Sequence, residues 1–549
     1  MAPEIAGRPL TNSEGERTLF DHADERSLRV PTSCRRSGRC RECVVEVSAG
    51  AQHLCLPTEA ERFLRPPFRL ACQAVVTNAD AEVDFTVVRR RLRIVVPDAE
   101  QRVDPIDPQV TVRAGTVCWG SEPIEPRHGG VYGLAIDIGT TTVVFELIDL
   151  LAGAIVEVVA IENPQRFGGS DVMNRISYDA GEPGELRQAL RRAINGELRE
   201  LYARTGISRR EVYEVVVVGN STMRDIFFDL EVTSIGERPY KSSTELELLD
   251  GRRDSSELLK LGWELGLKVH PRARVWGAPL IAGHVGADVA ADLVATGVGT
   301  RDRVEMLVDV GTNTEVVISA NGRILAASCP AGPAFEGWDV TCGMQASEGA
   351  IEAVKITPGG TFELTTIGNA PPQGLCGSGM IDLIAQLRRT DRMSAKGVFA
   401  DGSYSLEVAP DEGVVFTRAD ASALAQAKAA NTVGQWILLR ALGLDPSEVD
   451  SLFLAGGFAT HVDVANAVAI GFVAPVPPDH VVKVGNASLR GARELLLSAS
   501  SRRALAQLVR RIEHVELETT PDFFELFVDG CQFKPLPLRI GARDGRLAV

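Results

Sequence analysis

The segment SCRRSGRCREC, residues 33–43, sets Cys34, Cys40 and Cys43 within one short loop, and Cys72 follows at a distance. Thiols at this density support three chemistries: a disulfide framework, a zinc knuckle or an iron–sulfur cluster. Disulfides need an oxidising compartment. The N-terminal stretch MAPEIAGRPLTNSEGERT has no basic region followed by an apolar run, so no secretory signal is read. No window approaches about 18 uninterrupted apolar residues, and even FLAGGFATHVDVANAVAIGFV carries His461 and Asp463. The expected setting is the cytoplasm, without membrane contact, where thiols stay reduced or bind metal. A structural zinc site typically uses two C-x2-4-C pairs, whereas here only Cys40-x2-Cys43 has that form.

The full spacing is Cys34-x5-Cys40-x2-Cys43-x28-Cys72. A plant-type 2Fe–2S site has C-x4-C-x2-C and a distant fourth cysteine, so the match is one residue long in the first loop. A two-iron rhomb needs a single loop wrapped around it to deliver three thiolates, and Gly38 suits such a turn because it tolerates positive φ. Amides of that loop then face the sulfides. The alternating stretch FRLACQAVV reads as a strand and is expected to bring in Cys72 as the fourth ligand. Cys55, in AQHLC beside a proline-containing loop, is the rival for that place, and zinc is the rival metal. The surrounding sequence, TLFDHADERSLRVPTSC through RLACQA, resembles the ferredoxin fold with a plant-type 2Fe–2S cluster, an α+β ferredoxin-like (β-grasp) unit, over about residues 15–92. Arg35, Arg36, Arg39 and Arg41 interleave with the ligands. They read as a solvated basic rim, or as charges that offset the cluster and dock an acidic partner. Cys118, Cys329, Cys342, Cys376 and Cys531 are scattered and read as ordinary thiols.

The chain that positions this loop is 549 residues long, and single cores seldom grow past roughly 250–300 residues, so several domains are expected. Its net charge is −15, yet residues 1–100 hold 15 arginines against 15 acidic residues, so the whole excess lies downstream. An acidic body argues against nucleic-acid binding, which needs a basic footprint. Between Arg89 and Gly130, Pro97, Pro105, Pro108, Pro123 and Pro126 mark an extended, semi-rigid linker with a short hairpin around Val110–Cys118.

Beyond the linker the sequence repeats itself. GLAIDIGTTTVVFELID (133–149) and EMLVDVGTNTEVVISANG (305–322) superpose, with Asp137 on Asp309, Gly139 on Gly311, Thr140 on Thr312, and Thr142 on Thr314. Each copy is an apolar strand, a D-x-G-T turn and a second apolar strand, hence a β-hairpin. Duplication at this spacing predicts two related α/β halves. Two such hairpins facing each other make a nucleotide clamp. Glycine lets the backbone approach phosphate, and the hydroxyls and amides of Thr140, Thr141, Thr142, Thr312, Asn313 and Thr314 donate to phosphate oxygens. Asp137 and Asp309 would hold Mg²⁺, largely through water. In VDSLFLAGGFATHVDVANAV (449–468) a strand ends in Gly456, Gly457 and Phe458, where missing side chains leave room for a purine. GLCGSGMIDLIAQL (374–387) opens a helix on small residues, Gly377 and Ser378 among them.

These four elements correspond to phosphate-one, phosphate-two, adenosine and connecting motifs, and they resemble the acetate and sugar kinase, heat-shock and actin superfamily of ATPases. The resemblance implies a duplicated actin-like α/β fold that binds ATP and Mg²⁺ between halves that open and close. The pairing of such a fold with a ferredoxin unit resembles the reductive activators of corrinoid proteins. ENPQRFGGSDVMNRISY (162–178), VVVVGNSTMRDIFF (215–228), APLIAGHVGADVAADLVA (278–295) and CPAGPAFEGWDVTCGMQASEGAI (329–351) are similar to that family as well. The expected organisation is 1–92 as the 2Fe–2S domain, 93–130 as linker, 131–300 as first ATPase half and 301–549 as second. The resemblance implies ATP-dependent return of a corrinoid methyltransferase component from Co(II) to Co(I). It also implies an external electron donor, Asp137 and Asp309 as catalytic residues placing Mg²⁺ and water, and Glu315 as a lesser candidate for water positioning. A homodimer is left open. The alternatives are a small-molecule kinase with a redox-sensing head and an ATP-dependent redox switch.

Overall fold

The computed structural model describes residues 17–32, 34–78, 81–88, 106–457 and 459–536. The N-terminal unit is built on the antiparallel sheet Phe68–Leu70, Val44–Ala49, Asp84–Val87, with Arg17–Thr18 paired to Val75–Val76 beside it. Its helix Leu19–Glu25 starts where the Thr18 and Asp21 side chains cap each other's backbone N–H groups. The stretch expected as one strand, FRLACQAVV, is instead two short strands with Cys72 in the turn between them. The Ala71 N–H bonds to the Cys43 carbonyl at 2.8 Å, and the N–H groups of Gln73 and Ala74 both reach back to the Leu70 carbonyl. The apolar alternation therefore reports packing on two sides of a bend.

Two six-stranded sheets form the body. The first runs Ala154–Glu162, Thr142–Asp149, Tyr132–Ile138, Val212–Gly219, Arg274–Gly277, Leu258–Leu261. The second runs Ile512–His514, Arg323–Cys329, Thr314–Ala320, Glu305–Val310, Ser451–Ala455, Val481–Gly485. In each, the hairpin and its outer strand are antiparallel, and the next two strands join parallel to the first strand of the hairpin. The repeat seen in the sequence is thus a repeat of topology, an actin-like α/β fold in two copies. Glu305–Val310 and Thr314–Ala320 are buried on both faces, which is why they read as continuous apolar runs.

The lobes are interwoven. Helices Ala487–Leu497 and Ala499–Val509, inside the segment expected as the second half, turn back and bury Leu489, Leu495, Leu496 and Leu505 in the core of the first. Helix Ala487–Leu497 crosses helix Ala287–Thr296 so closely that a Cβ on Gly491 would stand 2.0 Å from the Ala291 carbonyl oxygen. Residues 89–105 of the expected linker lie outside the described residues. The rest of it contains an antiparallel three-stranded sheet, Val110–Arg113, Thr116–Trp119 and Glu122–Pro126, which buries Val110, Val117 and Ile124 against the first lobe.

The N-terminal unit is packed on that same lobe, and one apolar core runs from Leu19 and Phe63 through Phe167 and Tyr178. Phe167 meets the Phe63 ring edge-on at 5.6 Å and the Tyr178 ring at 5.5 Å. Around them Arg41 pairs with Glu185, Arg29 with Glu200, and Arg166 with Glu46 at 2.6 Å. Because Phe167 fills the middle of this junction, Phe167→Ala is expected to cost about 3–5 kcal/mol. Chemical denaturation followed at both units should then split into two transitions, and a single unshifted curve would show that the junction contributes little.

Candidate functional site

The two hairpins bring their turns together in the cleft between the lobes. In the first, Ile138 pairs with Val143, leaving Gly139–Thr142 as the turn. In the second, Val310 pairs with Thr314, leaving Gly311–Asn313. The first turn is therefore one residue longer, although the sequences superpose without a gap. The Gly139 N–H bonds to the Thr142 carbonyl at 2.9 Å, and the Gly311 N–H to that of Asn313 at 3.1 Å. The Thr141 and Thr312 hydroxyls lie 3.5 Å apart, and both donate to the Glu336 carboxylate, Thr312 at 2.7 Å. Thr140 is buried, with its hydroxyl bonded to Asn220 Nδ2 at 2.9 Å. The slip in register sends Thr314 into the core, where its hydroxyl has no partner among the described residues.

Asp137 and Asp309 stand at matching strand ends, half-buried at the base of the cleft. Burial raises both carboxyls to about 6; Asn486 Nδ2, 3.0 Å from Asp137, opposes the rise, and the charge of Asp309 adds to it. Asp288 and Asp292 face them from successive turns of helix Ala287–Thr296. Burial and the neighbouring carboxylates carry Asp288 to about 8 and hold Asp292 well above the usual range. Glu315 pairs across the strands with Asp309 and accepts from the Ser328 hydroxyl at 3.0 Å; burial raises it too.

Gly456 has φ 111°, and a Cβ there would stand 2.2 Å from the Val310 carbonyl oxygen, so strand Glu305–Val310 and this turn meet only through glycine. A Cβ on Gly457 would meet nothing within 4 Å. Phe458 lies outside the described residues. Gly377 and Ser378 are buried in the first turn of helix Gly377–Arg389, where the Ser378 hydroxyl lies 3.4 Å from the Cys376 sulfur.

Sequence reasoning missed Asn220 and Asn486, and a signal existed. The pattern V-V-x-V-G-N occurs at 215–220 and again at 481–486. Each asparagine caps the following helix through Oδ1, to the N–H of Met223 or Leu489, and turns Nδ2 toward the cleft. Asp288, Asp292 and Glu336 lie in stretches marked only as glycine-rich and alanine-rich, with no motif to single them out.

In the N-terminal unit the thiols draw together as pairs. Cys43 and Cys72 sulfurs are 3.4 Å apart. The Cys43 thiol, beside the Cys72 sulfur and buried, is pushed far up, whereas Cys72 is brought down to about 7 by Cys43, Gln73 Nε2 and the Gly38 amide. Burial lifts Cys34, but the amide and thiol of Cys40 and the Ser37 hydroxyl outweigh it and bring Cys34 to about 6. Gly38 has φ 74°, and Arg35, Arg36 and Arg41 also sit at positive φ, so the loop is tightly wound. Cys55 is turned elsewhere, accepting from the Val75 N–H at 3.3 Å and from Arg69. Among the described residues no three His, Cys, Asp or Glu are gathered to hold a single ion. Two pairs of thiols, with amides aimed at their sulfurs, fit a two-iron cluster, which takes two thiolates at each iron.

Two outcomes follow. In metal-free buffer the native state keeps the Asp137 proton to about 6 while the unfolded chain releases it near 3.8. Stability from this group is therefore lost as pH rises through that window. Asp137→Asn should gain on the parent across it, by on the order of 1–3 kcal/mol at its top, measured as denaturation midpoints; parallel curves would contradict this. After anaerobic reconstitution, Cys55→Ser should keep the visible spectrum of the parent and Cys72→Ser should lose it.

Comparison with known proteins agrees with this geometry. Residues 4–77 match the model of a 2Fe–2S iron–sulfur cluster binding domain, residues 132–301 the RACo middle region, and residues 303–538 the C-terminal domain of RACo, the ASKHA domain. The corrinoid activation enzyme RamQ of Eubacterium limosum is 31% identical over 440 residues, 75% of this chain and 72% of that protein. A [Co(II) methylated amine-specific corrinoid protein] reductase of Methanosarcina barkeri is 24% identical over 424 residues, covering 72% and 76%. A solved reductive activator for a corrinoid, iron–sulfur protein shares the fold, with a TM-score of 0.70 at 24% identity over 94% of this chain and 95% of that one. The chain thus belongs to the family of reductive activators of corrinoid proteins, with a 2Fe–2S domain ahead of an ASKHA-type body.

Proposed function

We propose that the protein reactivates a corrinoid partner of a methyltransferase system. One electron from an external donor is delivered, with turnover of ATP, to Co(II) in the partner, which becomes Co(I). The observation that carries this reading is the seating of the cysteine loop. The Cys40 carbonyl accepts from Arg192 at 3.0 Å, and Arg192 belongs to the lobe whose first hairpin presents Thr140 and Thr141 to the cleft. A redox loop and a nucleotide-type cleft share one packed lobe.

Cys34 and Cys40 would hold one iron, Cys43 and Cys72 the other. The cluster supplies a one-electron carrier, near −400 mV in plant-type proteins. In the cleft, Asp137 and Asp309 would meet Mg²⁺ through water, in keeping with its reluctance to shed its shell. Thr140, Thr141, Thr142 and Thr312, with the turn amides, would hold the phosphates, and the open face at Gly457 the purine. Thr314 and Glu315, buried behind the second hairpin, support that strand rather than reach a ligand. Asp288 is better placed than Glu315 to orient a water. Each ~59 mV of uphill one-electron transfer costs tenfold in equilibrium. ATP offsets such a gap only by changing how tightly the partner is held in two states. The reading needs no second copy of this chain. Among the described residues no helix is long and apolar enough to cross a membrane.

The test is direct. Reduced, cluster-loaded protein mixed with a Co(II) corrinoid methyltransferase component and Mg²⁺–ATP should give the Co(I) absorption band, and little without ATP. Asp309→Ala should abolish ATP turnover and the band while the 2Fe–2S spectrum persists. Undiminished turnover in that variant would refute the assignment of the cleft.

A further inference from the structure

The short turn Pro164–Gly168 has the nucleotide hairpin on one side and the N-terminal unit on the other. Asn163, its cap, donates from its backbone N–H to the Thr141 carbonyl at 2.7 Å and from Nδ2 to the Gly139 carbonyl at 2.8 Å. Phe167, four residues on, is the apolar centre of the junction with Phe63. Between them Arg166 reaches two different parts of the molecule. Its guanidinium pairs with Glu46 of the N-terminal unit at 2.6 Å and lies 3.8 Å from the ring centre of Trp338 in the second lobe. Arg166, Trp338, Thr140, Thr141 and Arg175 line one small pocket that opens to solvent.

Trp338 is two residues from Glu336, and Glu336 is the acceptor for both Thr141 and Thr312. A phosphate oxygen in the cleft needs those same hydroxyls, and it repels a carboxylate. Glu336 therefore stands where a terminal phosphate would be bound, as an internal anion. Gly337 between the two side chains has φ 91°, and a Cβ on it would meet the Met344 backbone at 2.5 Å, so Glu336 and Trp338 are joined by a backbone bend that other residues adopt only under strain. Trp338 lines the same pocket as Thr140 and Thr141, so a phosphate that displaces Glu336 enters beside it.

We propose that Glu336 and Trp338 form a lever that makes the docking of the 2Fe–2S unit depend on the nucleotide, with Arg166 as the positioning residue. With Glu336 on the two threonines, Trp338 covers Arg166 and holds it toward Glu46. With a triphosphate on the threonines, Trp338 leaves Arg166, and the contact between the 2Fe–2S unit and helix Glu185–Thr205 loosens. Both ligand and carboxylate bias one two-state element, which is the physical requirement for coupling between sites. This rests on the reading of the cleft as an ATP site.

Hydrogen–deuterium exchange on the full-length, cluster-loaded protein tests it, with Mg²⁺ plus a non-hydrolysable ATP analogue as the probe. Analogue binding is measured in parallel by equilibrium dialysis. Exchange in segments 36–47 and 185–199 should rise several-fold with the analogue in the parent. In Trp338→Leu and in Glu46→Gln that nucleotide-dependent difference should vanish while the analogue still binds. A merely structural role for these residues would raise exchange equally with and without the analogue. Bound analogue with no difference in the parent, or a difference that survives in Trp338→Leu, overturns the lever alone. Failure of the analogue to bind overturns the ATP reading and the lever together.

Discussion

The cleft is governed by negative charge that water cannot fully reach. Asp137 and Asp309 arrive on equivalent strands from opposite lobes, and Asp288 and Asp292 arrive on the helix that packs between them. Burial lifts each carboxyl, the charges of Asp309 and Asp137 lift Asp288 and Asp292 further, and a hydrogen bond with Asp292 draws Asp309 part of the way back. Ionised together they repel, so the arrangement is most comfortable when it holds protons or a cation. Every other feature of the site answers to this. The asparagines at 220 and 486 bring neutral N–H donors rather than ammonium groups, which leaves the field negative, and the hairpin turns bring amides and hydroxyls. A polyanion entering such a cleft would be repelled unless a cation came with it.

The second feature that organises the molecule is where the redox loop sits. Arg36 and Arg41 of its basic rim are paired within the chain, while Arg35, Arg36 and Arg39 stay exposed. Arg36 pairs with Asp21 and Asp24 and stacks on Phe20 at 4.0 Å from the ring centre, and Arg41 pairs with Glu185 while lying 4.6 Å from the ring centre of Phe63. The rim is therefore docked on the first lobe at Arg41 and exposed at Arg35, Arg36 and Arg39, where the solvated reading of the sequence holds. A linker rich in proline suggested a head on a tether. Apolar contacts around Phe167 hold the described part of that head against the first lobe instead.

Much of this was legible because the decisive signals are local or periodic. Four cysteines at a set spacing need one loop and one return, and two D-x-G-T turns at the same phase of apolar strands need two copies of one hairpin. The family resemblance followed from both. Less local facts escaped. Cys72 was expected on a strand, because a bend with apolar residues on both sides shows the same alternation as a strand. The extra residue in the first turn was invisible, since the sequences align without a gap while the pairing slips by one, and only the structure sends Thr314 inward. Glu336 acquires its place from Thr141 and Thr312, far from it in sequence, so no window of the chain contains the information. Asn220 and Asn486 were within reach through the recurrence of V-V-x-V-G-N, a shorter repeat overshadowed by the longer one.

The chain passes between the lobes more than once: after helix Ala287–Thr296, at Asn486 where it enters helix Ala487–Leu497, and again before Ile512–His514 joins the second sheet. A protease cut in the connection following Thr296 would leave both pieces fastened by the remaining stitches. The two crossing helices meet closely where Gly491 lies on Ala291, and neither lobe can drift away and exchange with another molecule without unpicking several threads at once, like a cover sewn to its spine.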